Sequence, residues 1–271
     1  MLSQCVQKRS EPLRLAQLKS QLDGLATHPQ QSARRVPLAW PQTDAWLGGG
    51  LCCGAIHEWI GLVGVPPISL LVHAAAQAAV GTDAGSPAAW LVCIGREVWP
   101  TPSAIFSAGG GDLLRHMLLI DPPTESDRHW AIELALRSES LIVIADASGV
   151  DMATSRRLQL AAESGQSLGL LARPPRDAQA MSVATTRWLV QPVPTLASSP
   201  RWRVTLARCK GLQSSQSHST QDGVPGIALA HVARGFVTDD RSLLVEVNDA
   251  GRLVPVHADI RERRDPTAAA S

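Results

Sequence analysis

Beyond residue 50, short uninterrupted apolar runs alternate with longer segments whose apolar residues recur at helical spacing. The clearest run is Leu141–Ala145, which ends at Asp146. Uninterrupted apolar strands separated by helices are typical of a parallel sheet that helices cover on both faces, so the pattern predicts an α/β fold. Strands are expected at Gly54–Ile60, Ala88–Ile94, His116–Ile120, Leu141–Ala145 and Ser167–Ala172, and helices at Ile68–Val80, Pro102–Ala108, Ser126–Ser138 (with a Ser N-cap) and Met152–Ser164.

After Thr186 the alternation of apolar strands and helices ends. Strands are predicted at Trp188–Gln191 and Trp202–Cys209, and Pro- and Ser-rich turns separate them. The Ser- and Gln-rich stretch Gly211–Gly226 indicates a loop, and two more strand-like pieces lie within Ile227–Val256. We expect these late strands to be antiparallel, and we expect the charged tail from Asp259 onward to be disordered.

Near the N-terminus, leucines at helical spacing predict a helix over residues 3–27, followed by a polar linker, His28–Arg35. We expect Leu15, Leu18 and Leu22 in this helix to bind a neighbouring chain. The alternative is that the helix folds back over its own domain.

Composition narrows the function classes. Lys plus Arg is 25 and Asp plus Glu is 24, which gives no global attraction to nucleic acid or to an anionic membrane. The five cysteines form no CxxC pair, so neither a disulfide framework nor a structural metal site is expected, and a reducing cytoplasm is favoured. No apolar stretch is long enough to span a membrane. Only three residues are lysine, and none lies between Ser20 and Cys209.

The segment between the predicted strand Gly54–Ile60 and the predicted helix Ile68–Val80 has the position of a phosphate-binding loop, but it lacks the residues that bind phosphate. The pattern G-x-x-x-x-G-K-[ST] would begin at Gly61 and include Gly64, but Pro66, Pro67 and Ile68 stand where the second Gly, the Lys and the Ser/Thr belong, and Ser69 comes one position too late. The Lys charge and two backbone N–H donors are therefore missing. We expect no bound cofactor and negligible ATP hydrolysis.

Five collinear blocks resemble the RecA-type ATPase core over roughly residues 36–212. The resemblance implies a Mg-coordinating role for Asp146 and a water-activating role for Glu97, whereas without the Lys both carboxylates are equally typical of strand ends at a surface. Little chain follows Asp146 and Ala172, where recombinases carry their DNA-binding loops, so only weak, electrostatic contact with single-stranded DNA is expected. The blocks are Thr43–Leu51, Gly54–Gly61, Ala74–Gln77, Ile132–Asp146 and Trp202–Lys210.

Within that class, the sequence resembles the ImuA family of RecA-like, SulA-related accessory proteins of SOS mutagenesis. The resemblance rests on Gly48–Gly50, the loop Gly61–Ser69, Arg156–Glu163 and Leu206–Gly211. It implies a RecA-like P-loop core whose nucleotide site is degenerate, and partners of two kinds: an ImuB-type Y-family polymerase-like protein and an error-prone replicative-type polymerase. RecA itself or a second copy of the chain is a further possible partner. The expected organisation is an N-terminal helix and linker (1–35), the core (36–212), a loop with C-terminal strands (213–258) and a tail (259–271).

Two other functions stay open at this level: an ATP-dependent DNA-repair ATPase with an unorthodox nucleotide site, and an SOS-induced inhibitor of cell division. Arg156 and Arg157 lie near the start of the predicted helix Met152–Ser164 and are candidate partner contacts, although a solvated helix face would have the same composition. His57, inside a predicted strand, is interpreted as structural.

Overall fold

A computed structural model of the chain describes residues 34–80, 89–195, 199–210 and 241–256. The predicted N-terminal helix with Leu15, Leu18 and Leu22, the loop at 211–226 and the tail from 259 lie outside these residues. The strands are β1 (Arg35–Val36), β2 (Leu51–Cys52), β3 (Ala55–Gly61), β4 (Leu91–Ile94), β5 (Met117–Ile120), β6 (Ile142–Asp146), β7 (Leu168–Arg173), β8 (Thr186–Val193), β9 (Arg201–Cys209), β10 (Ser242–Val247) and β11 (Leu253–Pro255). The helices are α1 (Pro41–Trp46), α2 (Ile68–Val80), α3 (Pro102–Arg115), α4 (Glu125–Arg137) and α5 (Met152–Gly165).

Within the described residues, nine strands form one sheet in the order β11-β10-β9-β8-β3-β7-β6-β4-β5. The strands from β8 to β5 in this order pair in parallel, and β9, β10 and β11 continue the sheet in antiparallel fashion. The short strands β1 and β2 form a separate antiparallel pair. The α/β class and the late antiparallel strands are thus confirmed, and a large, mostly parallel sheet flanked by helices is consistent with a Rossmann- or RecA-like arrangement.

The sheet is covered on both faces, as its uninterrupted apolar strands require. One core cluster joins the sheet to α2 and α3, and includes Trp59 and Trp188, whose rings stack with centroids 5.1 Å apart. The other joins the opposite face to α4 and α5. Trp40 is fully buried and stacks on His73.

Two helix boundaries differ from the sequence-based expectation. Helix α3 continues to Arg115, well past Ala108, because two helical segments join at Gly110, whose φ of 72° is open to glycine at little cost. Helix α4 begins at Glu125, and its N-cap is Thr124, whose hydroxyl accepts a hydrogen bond from the Asp127 N–H at 3.1 Å. The expected cap, Ser126, lies inside the first turn.

The glycine run Gly48–Gly50 permits a close approach between backbone segments. Gly50 has a φ of 122°, and a Cβ there would collide with the backbone of Val36. The run therefore allows the chain to turn from α1 into β2 beside β1, which confirms that it belongs to no regular element.

None of the described helices is both long and apolar enough to cross a membrane. No disulfide joins the described cysteines Cys52, Cys53, Cys93 and Cys209. Burial raises the pKa of Cys93 to about 12, so this thiol stays protonated and unreactive near neutral pH.

His57 is a structural residue of the central strand, as the sequence predicted. Its Nε2 donates to the carbonyl oxygen of Cys52 at 2.9 Å, so its Nδ1 accepts from the Thr186 hydroxyl at 2.8 Å. The same hydroxyl oxygen accepts from the indole N–H of Trp188 at 2.8 Å. Burial lowers the pKa of His57 from 6.5 to about 4, because no water solvates an imidazolium at this position.

This depressed pKa makes stability depend on pH. The unfolded chain takes up a proton on His57 near pH 6.5 but the folded chain only near 4, so acid favours unfolding across this window. At about 1.4 kcal/mol per pKa unit, we expect the free energy of unfolding to fall by about 2–3 kcal/mol between about pH 7 and about pH 4.5. Burial lowers the pKa of His73 as well, which adds to the loss.

Urea unfolding at the two pH values measures this effect. The His57→Gln variant should lose much of the pH dependence, whereas His116→Gln, at the surface end of α3, should retain it. An equally steep fall in His57→Gln would show that other groups cause it.

Candidate functional site

A small polar cavity lies at the carboxyl ends of the parallel strands, where α/β proteins commonly bind ligands. Its volume is about 170 Å³. The sequence-predicted residues Gly64, Pro66, Glu97 and Asp146 all line it, so the fold brings the loop after β3 together with both carboxylates. The remaining lining residues are Ser148, Ala172, Arg173, Pro174 and Arg176.

The loop between β3 and α2 does not present a ring of free backbone donors. The N–H groups of Leu62, Gly64 and Ile68 donate to the carbonyls of Val190, Gly61 and Pro66, at 2.9, 3.1 and 2.8 Å. Pro66 and Pro67 have no N–H to offer. Few amides are therefore left to surround a phosphate.

Gly61 is required here for a packing reason. A Cβ at this position would collide with the carbonyl oxygen of Val65, which lies against the end of β3. The carbonyl of Val65 thus packs against Gly61 and closes the loop. Gly61, the first residue of the degenerate motif, is therefore needed for the loop to pack closely on itself.

Asp146 has both carboxylate oxygens engaged within the chain. Its Oδ1 accepts from the N–H of Ser148 at 2.9 Å, and its Oδ2 lies 3.5 Å from Nη1 of Arg128. Arg128, on α4, is held in place by Nη2, which donates to the Ser148 hydroxyl at 3.0 Å and to its carbonyl at 3.2 Å. The side chains of Arg128 and Asp146 are only 17% and 15% exposed, so water screens their attraction weakly. The position that would hold a metal ion beside Asp146 therefore faces a guanidinium.

The size of the cavity gives a second limit. Pockets that enclose small-molecule ligands are about 300–1,000 Å³, and this one is about 170 Å³. Glu97 is exposed at its rim. The residues present do not fit a magnesium–nucleotide complex, because the lysine is absent, few loop amides are available, Asp146 is paired with Arg128 and the cavity is small.

Next to the cavity, a fully buried carboxylate connects the three central strands. Glu58 on β3 receives Arg173 Nη1 at 2.8 Å on one oxygen and Arg187 Nε at 2.9 Å on the other. The hydroxyl of Ser182 also donates to Glu58, at 2.8 Å. Arg173 lies on β7 and Arg187 on β8, and both are buried. A buried charge with partners on both oxygens avoids the large cost of an unpaired one.

The same network fixes the segment 174–185, which follows β7. Arg173 also binds Asp177 at 3.0 Å, and Arg187 donates to the carbonyl of Ala178 at 3.0 Å. Arg208 donates to the carbonyls of Ser182 and Ala184, at 2.7 and 2.8 Å. By the resemblance to recombinases, this segment occupies the position of a DNA-binding loop. Here the buried Arg173 and Arg187 and the half-buried Arg208 hold it through hydrogen bonds.

Other sequence-predicted residues lie apart from the cavity. Ser69 lines a different and larger cleft of about 730 Å³, between α2, α3 and the β10–β11 turn. Pro67 is buried at the start of α2. Arg156 and Arg157 are exposed on α5, and Arg157 lies 3.7 Å from Glu133 of α4.

Sequence reasoning missed Arg128 and the partners of Glu58. A glutamate inside the buried run Ala55–Gly61 is itself a signal, since a charge in a central strand requires a countercharge. The identity of that countercharge needs the strand order, because Arg173 and Arg187 are distant in sequence.

A scan against protein-family models finds no match for this chain, and a search of curated proteins finds no similar sequence. Among the residues that the structure describes, no three His, Cys, Asp or Glu side chains are grouped so that they could hold a metal ion.

The buried carboxylate gives a direct test of the network. Replacing Glu58 by Gln leaves the buried Arg187 without its countercharge and leaves Arg173 with Asp177 alone, so we expect a loss of about 3–5 kcal/mol in the free energy of unfolding. Urea unfolding at neutral pH measures it. The matched control is Glu97→Gln, an exposed glutamate at the cavity rim, which should change stability by less than about 0.5 kcal/mol. Equal losses in the two variants would contradict the assigned role of Glu58.

Proposed function

We propose that the chain is a non-catalytic RecA-like adaptor in damage-induced translesion DNA synthesis and DNA repair. It acts through contacts with the proteins of an error-prone polymerase complex. The observation that carries the proposal is the pairing of Asp146 with Arg128, since the chain itself supplies the positive charge that a nucleotide-bound metal would bring. A RecA-like fold whose nucleotide site is internally neutralised is suited to binding and unsuited to turnover.

The alternative of a DNA-repair ATPase has less support. Transfer of a phosphoryl group needs cations that neutralise the charge developing on it. No lysine lies between Ser20 and Cys209, Arg128 is committed to Asp146, and Arg173 is committed to Glu58. The exposed Arg176 is the cavity's remaining guanidinium, and it lies 4.0 Å from Asp177.

A direct role in gripping DNA is also poorly supported. The segment 174–185 is held by Arg173, Arg187 and Arg208, so it has little freedom to close around a strand. The chain carries nearly equal numbers of basic and acidic side chains. Weak contact governed by charge is the most that we propose.

The identity of the partners comes from the resemblance to the ImuA family. It points to an ImuB-type Y-family polymerase-like protein and an error-prone replicative-type polymerase, in the cytoplasm. Leu15, Leu18 and Leu22 of the predicted N-terminal helix, with the exposed Arg156 and Arg157, are the candidate contacts.

Capture of an ImuB-type polymerase-like protein from the same source tests the proposal. An adaptor should retain this partner without added nucleotide and should retain it equally in Asp146→Ala, because Asp146 would serve no nucleotide. Deletion of residues 1–27 should abolish capture while the thermal midpoint of the remaining chain barely moves. Capture that requires ATP and is lost in Asp146→Ala would favour the ATPase, and no capture under any condition would reject the adaptor.

A further inference from the structure

Strand β5 is an outer edge of the large sheet within the described residues, since it pairs with β4 on one side and with no described strand on the other. Its sequence, Met-Leu-Leu-Ile, contains no charge and no proline. Proteins normally protect such edges with lysine, proline or a bulge, because a bare edge offers its backbone to another strand. β5 is short but has none of these three features, so its backbone edge is open to a further strand within the described residues.

The register with β4 identifies the backbone groups that point outward. The carbonyl oxygens of His116 and Ile120 accept from the N–H groups of Leu91 and Gly95, both at 2.9 Å. Because alternate residues of a strand bond to the same neighbour, residue 118 also faces β4. Met117 and Leu119 therefore direct their N–H and C=O groups away from the sheet.

The side chains of β5 add apolar surface on both faces of the sheet. Ile120 packs against the core cluster of α4 and α5, so Leu118 points to that face, and it is 49% exposed. Met117 packs against the cluster of α2 and α3, so Leu119 points to the other face, and it is 40% exposed. Each exposed leucine thus lies beside the free backbone edge.

We propose that two copies of the chain associate through this edge, with their β5 strands antiparallel about a two-fold axis at Leu118. In that register Met117 and Leu119 of one copy lie opposite Leu119 and Met117 of the other. These are the residues with outward backbone groups, so each of the two pairs exchanges two hydrogen bonds. Leu118 then lies opposite Leu118, in the closer, non-hydrogen-bonded pair.

Charge complementarity supports a second copy as the occupant. Arg115, the last residue of α3, and Asp121, which directly follows β5, each lie three residues from Leu118 in sequence. The two-fold arrangement brings each Arg115 toward Asp121 of the other copy, so opposite charges meet at both ends of the paired strands. Both side chains are solvent-accessible at present: Arg115 contacts the exposed Asp112, and Asp121 contacts the exposed Arg96. The segment from Arg115 to Asp121 is therefore complementary to itself in antiparallel orientation, as a two-fold interface requires.

Sedimentation velocity of the full chain over a range of micromolar concentrations tests the proposal. We expect a monomer–dimer equilibrium. Leu118→Lys places two ammonium groups opposite each other on the two-fold axis, so its dissociation constant should rise at least about tenfold. The matched control is Leu160→Lys, a leucine that is 57% exposed on α5, which should dimerise like the unmodified chain.

Two further variants test the register. Leu119→Pro removes one outward N–H without touching the bonds to β4, and it should also produce a monomer. Arg115→Asp alone should weaken the dimer, and Arg115→Asp combined with Asp121→Arg should restore it. Circular dichroism confirms that each variant is folded.

A chain that is monomeric at all these concentrations would overturn the proposal. So would a dimer that survives both Leu118→Lys and Leu119→Pro, which would assign the contact to another surface. Loss of the dimer in these variants together with an unimpaired charge-swapped pair supports the two-fold edge contact. These outcomes are independent of whether the polymerase-like partner is captured.

Discussion

The buried carboxylate of Glu58 is the constraint on which the centre of the molecule depends. It lies on β3, the strand between β7 and β8, and it binds one arginine from each neighbour. An ion cluster of this kind contributes little net stability compared with apolar packing, but any arrangement that separates its members leaves a charge buried and unpaired. The register of three strands and the path of the segment 174–185 are therefore fixed together. Arg173 belongs to this ion cluster and also lines the cavity, so that part of the cavity wall is held in place as well.

A second internal ion pair determines what the cavity can do. Asp146 ends the strand β6, where the resemblance to RecA implies a metal ligand, but Arg128 already neutralises it. The loop after β3 is closed by its own hydrogen bonds and by two prolines. The charges and donors at this end of the sheet are thus used to stabilise the chain itself. This is the physical basis for assigning a binding role to the molecule.

The sequence predicted the parts of this structure that depend on local pattern. The apolar runs predicted β3, β4, β6 and β7 to within a few residues, because a strand that is buried on both faces has an almost continuous run of apolar residues. The extent of α3 was missed, since Gly109–Gly111 argue against a helix and the chain continues through a bend at Gly110. Arg128 and Glu58 could not be assigned partners, because each pairs across the fold with residues that only the strand order brings near. Asp146 was located correctly, but its neutralisation could not be seen from its neighbours in sequence.

We propose that the cavity beside Asp146 does not bind a magnesium–nucleotide complex. The most direct measurement is the thermal midpoint of the purified chain with and without excess Mg-ATP. A ligand present at about 100 times its dissociation constant stabilises a protein by about 2.7 kcal/mol, which a melting curve detects easily. We expect Mg-ATP to leave the midpoint of the unmodified chain unchanged, and likewise that of Asp146→Ala. A stabilisation by Mg-ATP that disappears in Asp146→Ala would contradict the proposal.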